Sequence, residues 1–93
     1  MKVNWSQRAI RDLERQCDFI ARDRPKAADD VEARVFAAAA RLGDFPDVGA
    51  TAPGQGTRGL LVARTGLCVV CKVRKGEVFI VTIRHQMRKP RLA

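Results

Sequence analysis

Ninety-three residues, 46% of them apolar, suffice for one domain with a modest core, spanning residues 1–93. No run of about 18 apolar residues is present to cross a membrane, and the polar start from Met1 to Ala9 lacks the apolar block of a signal peptide, so the expected compartment is the cytoplasm. The net charge of +8 is unevenly spread: residues 1–47 hold nine basic and nine acidic side chains, whereas residues 48–93 hold nine basic ones and a single acid, Glu77. Charge stacked on one half of a small domain points to an anionic partner.

Lys2-Val3-Asn4-Trp5 alternates polar and apolar residues, which predicts a short strand. Ser6 then offers an N-cap, and Ile10, Leu13, Cys17 and Ile20 recur at helical spacing, predicting a helix to about Arg22. Asp12, Arg15 and Asp18 fall off that stripe and are expected in solvent. Asp23-Arg24-Pro25 ends the helix, and Pro25 suits the first turn of a second one. Its stripe is Ala28, Val31, Val35, Ala38, Ala39 and Leu42, with Gly43 as the expected C-cap. The two helices form an antiparallel hairpin.

Asp44 to Thr57 carries Pro46, Gly49, Pro53, Gly54 and Gly56 and reads as a loop. The rest reads as β structure. Gly59–Ala63 is a strand, Arg64-Thr65-Gly66 a turn, Leu67–Arg74 a strand, Lys75-Gly76 a tight hairpin turn, and Val78–Ile83 a strand apolar on both faces and therefore interior. Arg84 follows at its end, with His85 just past it and the basic tail to Arg91 leaving the sheet. The expected fold is α+β, in the order β–α–α–β–β–β. Its antiparallel twisted sheet carries the helical hairpin on one face, because neither layer can bury its apolar side alone.

Cys68 and Cys71 form a C-x-x-C, but residues three apart on a strand point to opposite faces, and no second Cys/His pair exists. With an odd count of three cysteines, neither a metal nor a disulfide framework is expected, and no cofactor is implied. Glu77 flanks the turn and is expected to be exposed, and Trp5 reads as a core anchor. The basic side chains Arg58, Lys72, Arg74 and Arg84 lie on strands or strand ends and are expected to converge on the face without helices, where phosphates or acidic side chains would fit. His85, the only histidine, has the pKa range for proton transfer, although a lone histidine is more commonly structural. There is no tyrosine.

In this order the pieces resemble the RelE/ParE superfamily of bacterial type II toxins. The matching residues are Trp5-Ser6-x-x-Ala9-x-x-Asp12-Leu13, Pro25-x-Ala27-Ala28, Leu42-x-x-Phe45-Pro46-x-x-Gly49, Gly56-Thr57-Arg58 and His85-x-x-Arg88-x-Pro90. The resemblance implies a toxin silenced by a cognate antitoxin with an acidic amphipathic C-terminal segment, in a toxin–antitoxin hetero-oligomer. Gly56-Thr57-Arg58, the long helical hairpin and the ending at Pro90 look ParE-like, and ParE-like members poison DNA gyrase without catalysis of their own. The implied target- or antitoxin-binding residues are Arg58, Lys72, Arg74, Arg84, His85 and Arg88. The alternatives are a RelE-like, ribosome-dependent mRNA endonuclease, in which Arg58, Arg84 and His85 would carry the chemistry, and an inactive relative that only binds its antitoxin. The missing tyrosine favours the ParE-like reading. Gly59, where an acid commonly follows the arginine, and the two strand cysteines depart from the pattern.

Overall fold

In the computed structural model, residues 1–46, 50–51 and 56–85 are described. The elements are β1 (Val3–Trp5), α1 (Gln7–Ala21), α2 (Pro25–Asp44), β2 (Ala50–Thr51), β3 (Arg58–Val62), β4 (Leu67–Arg74) and β5 (Glu77–His85). They form one sheet in the order β1-β5-β4-β3-β2. The order read from the sequence holds, with two additions. β2 lies inside the stretch expected to be loop and pairs antiparallel with Arg58 and Gly59. β1 runs parallel to β5, so the sheet is mixed at that edge. His85 is the last residue of β5, opposite Leu67, rather than the start of the tail; residues 86–91 lie outside the described residues.

α1 starts where Ser6 Oγ accepts from the Ala9 amide at 3.0 Å. Its buried stripe is Ala9 and Leu13, with Cys17 and Ile20 packed against the core. Ile10 is 44% exposed, because one residue along a helix turns the side chain about 100° away from Ala9. α2 buries Ala28, Val31, Val35, Ala38, Ala39 and Leu42, the full predicted stripe. Gly43 is not the cap: the helix continues to Asp44 with Phe45 as C-cap. A Cβ at Gly43 would lie 2.8 Å from the Met1 carbonyl oxygen and 2.9 Å from Val3 Cγ2, so this glycine lets α2 cross close to the start of β1.

Both helices cover one face of the sheet. The core joins Leu13, Val35 and Leu42 to Val62, Leu67, Val69, Cys71, Val78, Ile80 and Ile83. Trp5 is half-buried at the β1 edge, its ring 5.1 Å from that of Phe36 on α2. The Lys75-Gly76 turn has positive φ at both residues (52° and 76°), the geometry of a two-residue hairpin turn whose twist matches its strands.

Candidate functional site on the sheet

The face each strand residue occupies follows from register. Val69 and Cys71, 0% and 1% exposed, point to the helices. Alternation then places Cys68, Val70, Lys72 and Arg74 on the opposite face; Val70 in the middle of that row is 9% exposed, and no helix covers Lys72 and Arg74 among the described residues. Arg84 pairs with Cys68, and Phe79 with both Lys72 and Asn4, so these share the open face.

β5 needs one further feature. Ile80 pairs with Cys71 and Ile83 with Val69, and both isoleucines are buried although they are three apart. A bulge opposite the Val70–Cys71 step inserts Val81 and resets the alternation. The edge of β5 beyond β1 is closed by α1. Ser6 Oγ donates to the Val81 carbonyl at 2.9 Å. Asp12 Oδ2 accepts from the Thr82 hydroxyl and, at 3.4 Å, from the Ile83 amide. Asp12 is therefore not a solvated charge: its side chain is only 17% exposed, with Arg8 Nε 3.9 Å away.

The predicted basic set does not converge as a whole. Lys72, Arg74 and Arg84 share the open face. Arg58 pairs with Cys71, and His85 with Leu67, so both belong to the helix-side rows, on opposite sides of β4 and four residues apart along it. The electrostatics of the cysteines agree with this division. Burial raises the Cys68 thiol pKa, opposed by the Arg84 charge and a backbone hydrogen bond at Leu60. Burial likewise raises Cys71, opposed by Arg58, with Cys68 adding slightly to the rise. Burial raises Cys17 too, helped by the Glu32, Asp18 and Asp29 carboxylates. Raised thiol pKa values describe inert packing groups rather than nucleophiles. No group of three His, Cys, Asp or Glu residues able to hold a metal occurs among the described residues. Arg88 lies outside them.

On the open face, Asn4, Ser6, Lys72, Arg74, Phe79 and Val81 line a groove of about 440 Å³. Asn4 Nδ2 donates to Glu77 Oε1 at 2.9 Å, which half-buries the acid expected in solvent. Phe79 and Val81 give the groove an apolar floor, and Lys72 and Arg74 give it a basic wall. Sequence reading found the cations but missed Asn4 and Phe79. Alternation counted outward from Lys72 would have found Phe79 once the hairpin register was fixed.

Residues 3–90 match the family described as "ParE toxin of type II toxin-antitoxin system, parDE". The chain belongs to the ParE toxin family. Among its relatives, Y4kP of Sinorhizobium fredii (strain NBRC 101917 / NGR234) is 30% identical over 84 residues, covering 90% of this chain and 86% of that protein. A chain of the solved structure titled "Chromosomal ParDE TA system from P. aeruginosa" has the same fold, with a TM-score of 0.83 at 20% identity over 91% of this chain and 95% of that one. The N-terminal residues that carry the resemblance to the RelE/ParE superfamily each have a place in the structure. Trp5 meets Phe36, Ser6 caps α1 and holds Val81, Ala9 and Leu13 fill the core, and Asp12 closes the β5 edge.

Proposed function

We propose that this ParE-family toxin acts in the bacterial cytoplasm by poisoning DNA gyrase, and that a cognate antitoxin silences it. The antitoxin's acidic amphipathic C-terminal segment would cover the helix-free face, with apolar side chains on Phe79 and Val81 and carboxylates at Lys72, Arg74 and Arg84. The observation that carries this reading is the arrangement of that face: Lys72 and Arg74 line an apolar groove, Arg84 lies farther along the same face opposite Cys68, and the one acid paired with them, Glu77 opposite Arg74, is held by Asn4.

The division of Arg58 and His85 from Arg84 supports a poison over a nuclease. Phosphoryl transfer needs charge stabilisation and proton transfer around one phosphate. Here alternation puts Arg84 and His85 on opposite faces, and Arg58, opposite Cys71, lies across β4 from His85 and four residues along it.

A supercoiling assay with purified gyrase tests the proposal. Dose-dependent loss of supercoiling, or trapped cleaved DNA, is the expected result. Unimpaired gyrase at large toxin excess overturns it. Ribosome-dependent cuts in translated messenger, abolished by His85→Ala, would put the endonuclease in its place.

A further inference from the structure

On the sheet face opposite the helices, Asn4, Phe79 and Lys72 stand in one row across β1, β5 and β4. Neighbouring strands lie about 5 Å apart, so the Phe79 ring has an amide on one flank and an ammonium on the other. Arg74 follows two residues along β4, on the same face and about 7 Å from Lys72. All four residues line the groove of about 440 Å³. That size falls within the range of roughly 300–1,000 Å³ found for small-ligand clefts.

The polar groups around Phe79 are committed unequally. Asn4 Nδ2 donates to Glu77 Oε1 at 2.9 Å and to the Val78 carbonyl at 3.3 Å, which uses both of its hydrogens. Its Oδ1 accepts from no described residue. Asn4 is thereby fixed as a hydrogen-bond acceptor at the groove. The same bond holds Glu77, which does not line the groove. Lys72 and Arg74 form no ion pair with a described residue. Phe79 is half-buried, so part of its ring is accessible.

We propose that this groove holds one unpaired nucleotide whose base carries an exocyclic amino group. The base stacks on Phe79, its amino group donates to Asn4 Oδ1, and its phosphate lies on Lys72 and Arg74. Stacking on an aromatic ring suits any base. The Asn4 acceptor adds selection, because cytosine, adenine and guanine carry an amino group and uracil and thymine do not. The two cations give the phosphate charge-assisted hydrogen bonds. A base inside a duplex is stacked on both sides and cannot reach Phe79 without leaving the helix. Such a site does not depend on gyrase as the target, and an antitoxin segment laid on the same groove would compete with the nucleotide.

The test uses the intact free toxin and fluorescently labelled oligo-dC and oligo-dU of equal length, with a labelled duplex as control. Binding is read by anisotropy at physiological salt, where attraction between distant charges is screened. Oligo-dC is expected to bind at least about tenfold more tightly than oligo-dU, and more tightly than the duplex. Asn4→Leu is expected to bring the two strands to equal affinity. Phe79→Leu keeps an apolar side chain but removes the ring, and is expected to weaken oligo-dC about tenfold. Lys72→Ala/Arg74→Ala is expected to weaken both strands and to make the log–log salt slope shallower by about 1.4. Thermal melts show which variants are folded; if Phe79→Leu or Asn4→Leu is not, the wild-type ratio of oligo-dC to oligo-dU decides alone. Deoxycytidine monophosphate serves as competitor. Displacement of oligo-dC identifies a free nucleotide as sufficient, and no displacement identifies a strand as the source; the proposal holds in both cases. Equal binding of oligo-dC and oligo-dU by the wild type overturns it, as does a duplex bound as tightly as oligo-dC, which would assign the cations to unselective charge attraction. No binding of either strand also overturns it. None of these results bears on the inhibition of gyrase, which the supercoiling assay decides separately.

Discussion

The two faces of the sheet are built from alternate residues of the same strands, yet they have opposite chemistry. On β4, Leu67, Val69 and Cys71 are sealed under the helices, while Cys68, Val70, Lys72 and Arg74 alternate with them on the other side, where the two cations are exposed or half-buried and Val70 is buried. Strand alternation thus divides the basic half of the chain into two sets. Lys72, Arg74 and Arg84 remain together on the open face, and Arg58 and His85 go to the rim of the helix side. A charge imbalance between halves of a sequence becomes a binding face only after register has sorted the residues.

If the helix-side row carries the stability, Leu67→Ala has the largest effect. Leu67 is 0% exposed, and its truncation is expected to destabilise by about 2–5 kcal/mol in urea unfolding. A loss near that expected for exposed Leu61→Ala would erase the distinction between the faces. Asp12→Ala comes next. It leaves the buried Thr82 hydroxyl and the Ile83 amide without their acceptor, an expected loss of about 1–3 kcal/mol. In a double-mutant cycle with Thr82→Val the losses should be less than additive; simple additivity would show that the α1–β5 joint holds by other contacts.

Gly43→Ala sets two effects against each other. Alanine gains about 0.5–1 kcal/mol of helix propensity over glycine. The added methyl would overlap the Met1 carbonyl at 2.8 Å and Val3 Cγ2 at 2.9 Å, an overpacking that typically costs about 1–3 kcal/mol. Because one of the two obstacles is backbone, the steric effect is expected to win, with a net loss of about 1 kcal/mol in the same unfolding assay. A gain in stability would mean that the β1 start shifts freely away from α2.

A smaller effect appears at high pH. The folded state holds the Cys71 thiol above its unfolded value, chiefly through burial, so it favours the neutral form. The stabilisation is complete below the unfolded thiol pKa of about 8.5 and is lost as pH rises through the folded value. Stability should therefore decline on the alkaline side, and Cys71→Val should flatten that limb in denaturation measured from neutral to alkaline pH. An identical alkaline slope in the variant would place the proton uptake elsewhere.

Local signals fixed most of the elements. The Ser6 cap, the α2 stripe, the whole of β4 and the Lys75-Gly76 turn depend on neighbours a few residues away and were readable. Most of the differences from the sequence reading depend on partners distant in sequence. β2 is two residues in a Pro- and Gly-rich stretch, made a strand by pairing with β3. Ile10 and Asp12 were misassigned because the phase of α1 is set by Ala9, a small residue that carries little weight in an apolar stripe although it is 0% exposed. The parity of β5 was unreadable because a bulge, visible only against β4, lets Ile80 and Ile83 share a face. The same register separates Arg58 and His85 from the open-face cations, so the basic residues were legible but their grouping was not.

The smallest stability effect belongs to the pair with the largest expected effect on binding. Lys72 and Arg74 lie on the open face at the wall of the groove, and neither belongs to the buried core. Lys72→Ala/Arg74→Ala is therefore expected to change folding stability by no more than about 0.5 kcal/mol. Each cation would contribute up to about 1 kcal/mol to an exposed pair with an antitoxin carboxylate, so the double variant should bind the antitoxin about tenfold more weakly at low salt. Its affinity should also fall less steeply as salt is added, because two screened pairs are gone. A double variant that is destabilised like Leu67→Ala would make these side chains part of the packing. One that binds normally at every salt concentration would leave the open face without its proposed partner, even with the fold and the family intact.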